Sequence, residues 1–224
     1  IRRCSFNFLS MSNTLNFEEF RLRIKKAFEK PLPGADAQHI LAPIGRNSTD
    51  IQRIDYDRVN TAGVLALFIK DDNKPNLVLI ERATYRGVHS GQIAFPGGRK
   101  EVEDKNYEET ALRETEEEIG LPADNIEILG AFSPLYIPPS NFLVHPFAGI
   151  YSQKPKFVPQ PSEVSRVIEL DFNQLLHESS IRTQQITVRG TPMQVPAFYV
   201  DGFTIWGATA MMLSELRHMI SNVK

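Results

Sequence analysis

Four residues near the middle of this 224-residue chain have the types and spacing to do chemistry: Arg113, Glu114, Glu117 and Glu118. On a helix, Glu117 and Glu118 follow Glu114 by three and four positions, so the three carboxylates share one face with Cβ atoms about 5–6 Å apart. Nine of the 27 acidic residues fall between Glu101 and Glu118. Each like-charged pair at this spacing destabilises a helix by roughly 0.2–0.5 kcal/mol, and a divalent cation held between the side chains reverses the sign. A solvated acidic surface is the ordinary alternative, and three neighbouring features argue against it. Arg113 can pair with an acid one turn away and hold the glutamate rotamers. Asn106 with Glu109 reads as a capping box, Asp104 as a competing cap, and Gly120-Leu121 as a glycine stop with its hydrophobic contact. Gly97-Gly98, after Phe95-Pro96, lets bare backbone approach a ligand where a Cβ would obstruct it.

Arg113-Glu114-Thr115-Glu116-Glu117-Glu118-Ile119-Gly120-Leu121 resembles the second half of the Nudix hydrolase signature, with Thr115 at an apolar position. The first half departs from the pattern. Gly98 and the five residues that follow it lead to Asp104 instead of Glu, and eight residues instead of seven then separate Asp104 from Arg113, which leaves Asp104 and Glu109 both available to orient that arginine. The longer spacing resembles the coenzyme A pyrophosphatase branch of the family. So do Val78-Leu79-Ile80-Glu81-Arg82-Ala83 and His89-Ser90-Gly91-Gln92-Ile93-Ala94-Phe95-Pro96-Gly97-Gly98 upstream. Arg86 stands one position before the branch's second arginine, which would fall at Gly87. Residues 139–146, Ser162-Glu163-Val164 and residues 205–210 agree as well, so the likeness runs from about Asn60 to Ile220.

This resemblance implies an α/β fold, a mixed β-sheet sandwiched between helices, and metal-dependent cleavage of a diphosphate. Glu114, Glu117 and Glu118, with the Gly98 carbonyl, are the implied metal ligands; an all-oxygen set suits Mg2+ or Mn2+ over zinc. Arg113, Glu114 and Glu163 are the implied catalytic residues, the general base being Glu114 or Glu163. Arg82, Arg86, Gly97 and Gly98 are the implied substrate contacts. The expected substrate is a nucleoside diphosphate derivative, coenzyme A or a relative of it; ADP-ribose or another dinucleotide is the enzymatic alternative. A nucleotide-binding module without turnover is the alternative outside enzymology.

Composition narrows the classes further. A formal net charge of −2 argues against general nucleic-acid binding, which needs a basic face. Cys4 is the one cysteine, which excludes an intramolecular disulfide and a cysteine zinc site and points to a reducing, cytoplasmic setting. Arg2-Arg3 followed by Cys4–Leu9 is too short and interrupted for a secretory core, Met11 is a candidate start, and no segment reaches the ~20 apolar residues of a membrane span. Oligomeric state is left open, a homodimer included.

The elements that must position these residues follow from periodicity and punctuation. Residues 1–50 read as a leader, an amphipathic helix over 16–30 and an extended arm on the core, and residues 51–224 as one hydrolase domain. Strands are predicted at 61–70, 76–82, 92–95, 126–135, 142–151, 166–170, 186–189, 195–200 and 203–205, with a short helix at 172–177 and a closing helix at 208–222. His89 reads as structural and Trp206 as a core anchor. Arg99 and Lys100 are weaker ligand candidates than Arg82 and Arg86.

Overall fold

The runs around Val64–Ile69 and Leu77–Ile80 are apolar at every position instead of alternating, the mark of strands covered on both faces. They form β1 (Asn60–Asp71) and β2 (Lys74–Arg82), paired antiparallel across a turn in which Asp72 and Asn73 take positive φ. Along β1, Ala66 and Phe68 pack into one hydrophobic cluster, while Leu65, Leu67 and Ile69 pack into a second cluster on the other face. In β2, Leu77 and Leu79 belong to the first and Val78 and Ile80 to the second.

The computed structural model describes residues 14–43, 45–46, 51–52, 54–83, 91–188 and 190–223. Its main sheet runs β3 (Ile93–Ala94), β2, β1, β7 (Phe142–Tyr151), β5 (Ile126–Ala131). In addition, β4 (Gly97–Arg99) pairs with β1, β6 (Leu135–Ile137) with β7, and β8 (Val164–Asp171) with β2. The β1–β7 pair is parallel and the other pairs are antiparallel. A second, three-stranded sheet has the order β11 (Phe203–Trp206), β10 (Thr191–Val200), β9 (Ile181–Val188).

One face of the main sheet carries α1 (Phe17–Phe28) and α5 (Gly207–Ser221), whose buried residues join Phe68 and Leu79 in the first cluster. Phe20 lies 4.5 Å from the Phe68 ring and 5.3 Å from Phe172, which opens the short helix α4 (Phe172–Leu176). Asn16 caps α1 in a complete capping box with Glu19. The opposite face carries α3 (Tyr107–Ile119), which contributes Ala111 and Ile119 to the second cluster. The three-layer α/β/α arrangement expected from the sequence is therefore present. Among the described residues no helix is long and apolar enough to cross a membrane.

Three expectations need correction. The strand predicted over 126–135 is two strands, because the chain leaves the sheet at Phe132-Ser133-Pro134: Phe132 turns into the core and the Ser133 N–H donates to the buried Glu215 carboxylate at 3.3 Å. The arm after α1 is not wholly extended, since Ala35–Gln38 form a helical turn, α2. Strands β9 and β10 of the small sheet begin earlier than predicted, because polar positions such as Thr183 and Gln185 are exposed on a hairpin instead of marking its end, while β11 begins at Phe203 as expected.

Candidate active site

Asn106 is the N-cap of α3, its side chain accepting from the Glu109 N–H at 2.8 Å, while Glu109 turns back to accept from the Lys105 N–H at 2.6 Å. Gly120 closes the helix with φ +74° and its N–H on Glu116. Asp104 is not the cap. It takes a bidentate pair from Arg113, Nε to Oδ1 at 2.9 Å and Nη2 to Oδ2 at 3.0 Å, with further donations from Thr110 Oγ1 and the Glu101 N–H. Of the two acids the sequence left open, Asp104 orients Arg113. The Arg113 guanidinium holds the Asp104 carboxyl well below the usual carboxylate range, and Asp104 in turn raises Arg113.

Glycines set how closely α3 meets the sheet. Gly63 on β1 pairs with Gly98 on β4, and a Cβ on Gly63 would press on the α3 backbone, 2.9 Å from the Ala111 nitrogen. A Cβ on Gly98 would fall on the Glu114 carboxylate, and Gly97, at φ +141°, has the Val64 Cα where a Cβ would go. So fixed, the Gly97 N–H donates to Glu118 Oε2 at 2.8 Å. Gly63 was not singled out from the sequence, because its pairing with the Gly-Gly turn exists only in the folded sheet.

Glu118 is 1% exposed. Its Oε1 has no hydrogen-bond partner and lies 3.7 Å from Arg82 Nη1. Burial pushes its carboxyl up to about 7; the Gly97 N–H and Arg82 oppose the rise, and Glu114 and Glu163 add to it. Burial also raises Glu114, against the pull of Arg113 Nη2 at 3.1 Å, with Glu117 and Glu163 contributing repulsion. Glu117 is turned outward, 59% exposed, onto Arg113 Nη1 at 3.0 Å. Glu163 is exposed and comes from the loop that leads into β8. Its loop is tied to the last turn of α3 by Val158 N–H to Ile119 O and Gln160 N–H to Glu118 O, each 2.9 Å, and to the end of β2 by Ala83 N–H to Glu163 O at 2.8 Å.

The structure thus brings together Glu114, Glu118, Glu163, Arg82, Gly97 and Gly98, with Arg113 behind them. Arg86 and His89 lie outside the described residues. Lys100 donates locally to the carbonyls of Glu101 and Asp104, and Arg99 offers its carbonyl to Arg113 at 3.2 Å. Trp206 ends β11 at the N-cap of α5, half-buried.

A hard divalent cation fits this arrangement. Glu118 Oε1 is a buried anionic oxygen with no donor, and the neighbouring carboxyls raise one another. Among the described residues no three His, Cys, Asp or Glu side chains converge as a ready ion cage. Each ligand candidate is instead turned to a protein cation or N–H: Glu117 and Glu114 to Arg113, Glu118 to Arg82 and Gly97. The unpartnered Glu118 oxygen is nevertheless an acceptor that only an added cation or donor would satisfy.

Comparison with known proteins agrees with this geometry. The NUDIX domain model matches residues 59–188, more than half of the chain. A Photorhabdus laumondii protein named uncharacterized Nudix hydrolase NudL is 31% identical over 169 residues, 75% of this chain and 89% of that protein. A Yersinia pestis protein of the same name is 32% identical over 148 residues, covering 66% and 74%. Among solved structures, a MutT/nudix family protein from Enterococcus faecalis aligns with TM-score 0.47 at 16% identity over 84% of this chain and 74% of its own. A C. elegans Ap4A hydrolase aligns with TM-score 0.44 at 16% identity, covering 53% and 84%. With the family model spanning its acidic helix and the glycine turn that seats it, the chain belongs to the Nudix family and is a hydrolase of pyrophosphate bonds.

Proposed function

We propose that the chain cleaves the diphosphate of coenzyme A or a derivative, giving 4′-phosphopantetheine and adenosine 3′,5′-bisphosphate from coenzyme A itself. The observation that carries the metal-dependent reading is the buried Glu118 carboxylate, one oxygen without a hydrogen bond, beside Glu114, Glu163 and Arg82. The choice of coenzyme A rests on the residues at 78–83 and 89–98 and on the expanded spacing to Arg113.

In this reading Glu114, Glu117 and Glu118, with the Gly98 backbone, hold Mg2+ or Mn2+. The bound ion neutralises the diphosphate and makes water more acidic. Arg113, locked on Asp104, keeps Glu114 and Glu117 in orientation. Glu163 takes the proton of the attacking water onto its carboxylate. It is preferred over Glu114 because it is exposed, whereas Glu114 is half-buried and engaged by Arg113. Gly97 and Gly98 leave room for the substrate's phosphates to approach bare backbone. Arg82 adjoins Glu118, which supports a contact with the diphosphate; the 3′-phosphate is then left to Arg86.

A panel of diphosphates, read out by product identity with added Mg2+ or Mn2+ and with chelator, tests the proposal. Coenzyme A should outperform dephospho-coenzyme A by about ten- to a hundredfold in kcat/KM, the worth of a charged hydrogen bond. Arg86→Ala should erase that difference, and Arg82→Ala should slow both substrates alike. Equal rates on the two substrates, or a preference for ADP-ribose, would overturn the coenzyme A assignment and leave the hydrolase standing. Metal-independent turnover would overturn the mechanism.

A further inference from the structure

The two arginines of the site are used very differently. Arg113 has both edges of its guanidinium satisfied, by Asp104, Glu114, Glu117 and the Arg99 carbonyl. Arg82 is underused. Alternation along β2 puts it on the α3 face with Val78 and Ile80, and its backbone is pinned by a hydrogen bond from its N–H to the Gln92 carbonyl at 3.0 Å. Where β2 meets β8 the register slips, Glu81 pairing with Arg166 and Arg82 with Val164, so the extra residue, Ser165, lies on β8 and the alternation of β2 reaches Arg82 unbroken. Its Nη1 stops 3.7 Å from Glu118 Oε1, beyond hydrogen-bonding range, and its Nε is buried with no partner. Two buried polar atoms on facing side chains therefore both lack a hydrogen bond. Native interiors rarely leave such a pair unless something else completes it.

We propose that Arg82 is the counter-ion of the metal-free site: it neutralises Glu118 from 3.7 Å away, and its charge sets how tightly a divalent cation on Glu118 is held. The inference rests on the metal-dependent reading above. The attraction between Arg82 and Glu118 stabilises the metal-free protein, where a buried lone carboxylate would be costly. Once a dication sits on Glu118 Oε1, the same guanidinium repels it. Arg82 thus trades metal affinity for stability of the metal-free state, and any anion bound at the ion relieves the repulsion.

The test compares wild type, Arg82→Gln and Arg82→Lys for Mn2+ binding, by the electron paramagnetic resonance signal of free Mn2+, and for thermal unfolding in chelator and in Mn2+. Arg82→Gln should bind Mn2+ about tenfold more tightly than wild type. It should melt lower in chelator and recover most of that loss in Mn2+. Arg82→Lys, which keeps the charge, should stay near wild type in affinity. In a Glu118→Gln background, Arg82→Gln should leave the chelator melting temperature unchanged. If Arg82→Gln is too unstable in chelator, the Lys variant and the Glu118→Gln background still decide the matter. Unchanged or weaker Mn2+ binding in Arg82→Gln, or an equal melting loss with and without Mn2+, would overturn the counter-ion role while leaving a metal-dependent enzyme. Failure of the wild type to bind Mn2+ at all would instead overturn the metal-dependent reading beneath it.

Discussion

Replacing Glu118 with Gln keeps an oxygen for the Gly97 N–H and removes the charge that burial penalises. The fold should survive, with an unchanged far-ultraviolet circular dichroism spectrum. Turnover should fall by about two orders of magnitude or more, as for loss of a major electrostatic contact, and near-normal activity at saturating Mg2+ would remove Glu118 from the ligand set. Glu163 behaves differently, because it is exposed and reaches the site from a loop. Glu163→Gln should lower kcat by about a hundredfold, in the range for loss of a general base, and leave Mn2+ affinity close to wild type. An unchanged kcat with a wild-type pH profile would hand the role to Glu114. At this scale the sequence was informative where spacing dictates geometry, as for Glu114 and Glu118 on one helical face. It left Arg113's partner open, since spacing alone cannot say whether the chain before a helix folds back. Asp104 does so because Lys100 and Thr110 hold it there.

The acidic helix is an element held at both ends, and its N-terminal lock is electrostatic. Arg113 keeps Asp104 ionised far into acid, so the pair contributes stability that is fully present above the unfolded carboxyl value of about 3.9. That contribution is lost as pH falls below this value, where the unfolded chain takes up a proton the folded chain refuses. Asp104→Asn should therefore lower the melting temperature at pH 7, and the gap to wild type should narrow progressively between about pH 4 and pH 2. A gap independent of pH would show that Asp104 acts through its hydrogen bonds to Thr110 and Glu101 alone. Elements with strong periodicity or firm punctuation were legible in advance: β1, β7, α1 and α3 fall within two residues of expectation. Strand β4 was not, because Gly97–Arg99 reads as a turn and becomes a strand only by pairing with Ala62–Val64. The break between β5 and β6 was likewise hidden, since it is drawn by Glu215, more than eighty residues away.

At the scale of the whole molecule, Glu215 joins three distant segments. Fully buried on α5, it accepts from the Gly34 N–H at 3.1 Å, Gln38 Nε2 at 2.8 Å and the Ser133 N–H at 3.3 Å, fastening the arm after α1 and the β5–β6 corner to the closing helix. Glu215→Ala would remove the acceptor of the Gly34 and Ser133 N–H groups and leave Gln38 Nε2 with the Ser133 carbonyl alone. It should cost on the order of 3 kcal/mol in chemical denaturation, with kcat per folded molecule little changed. The sequence offered no hint of this fastening, because a lone Glu among Met and Leu on a helix looks like a solvated position.

The parallel pairing of β1 with β7, from Asn60↔Phe142 to Phe68↔Ile150, has a kinetic side as well. Parallel strands need a long connection, and here that connection carries β2, β3, β4, α3, β5 and β6, which is to say the metal-ligand candidates, the glycine turn and Arg82. Closing it spends chain entropy before any long-range contact repays it. The hairpin of β1 and β2 and the β1–β4 pair that seats α3 can form from neighbours in sequence, whereas the β1–β7 pair waits for this closure. A chain ending before Tyr151 would then hold every acidic ligand of the helix on a sheet that lacks the parallel neighbour of β1.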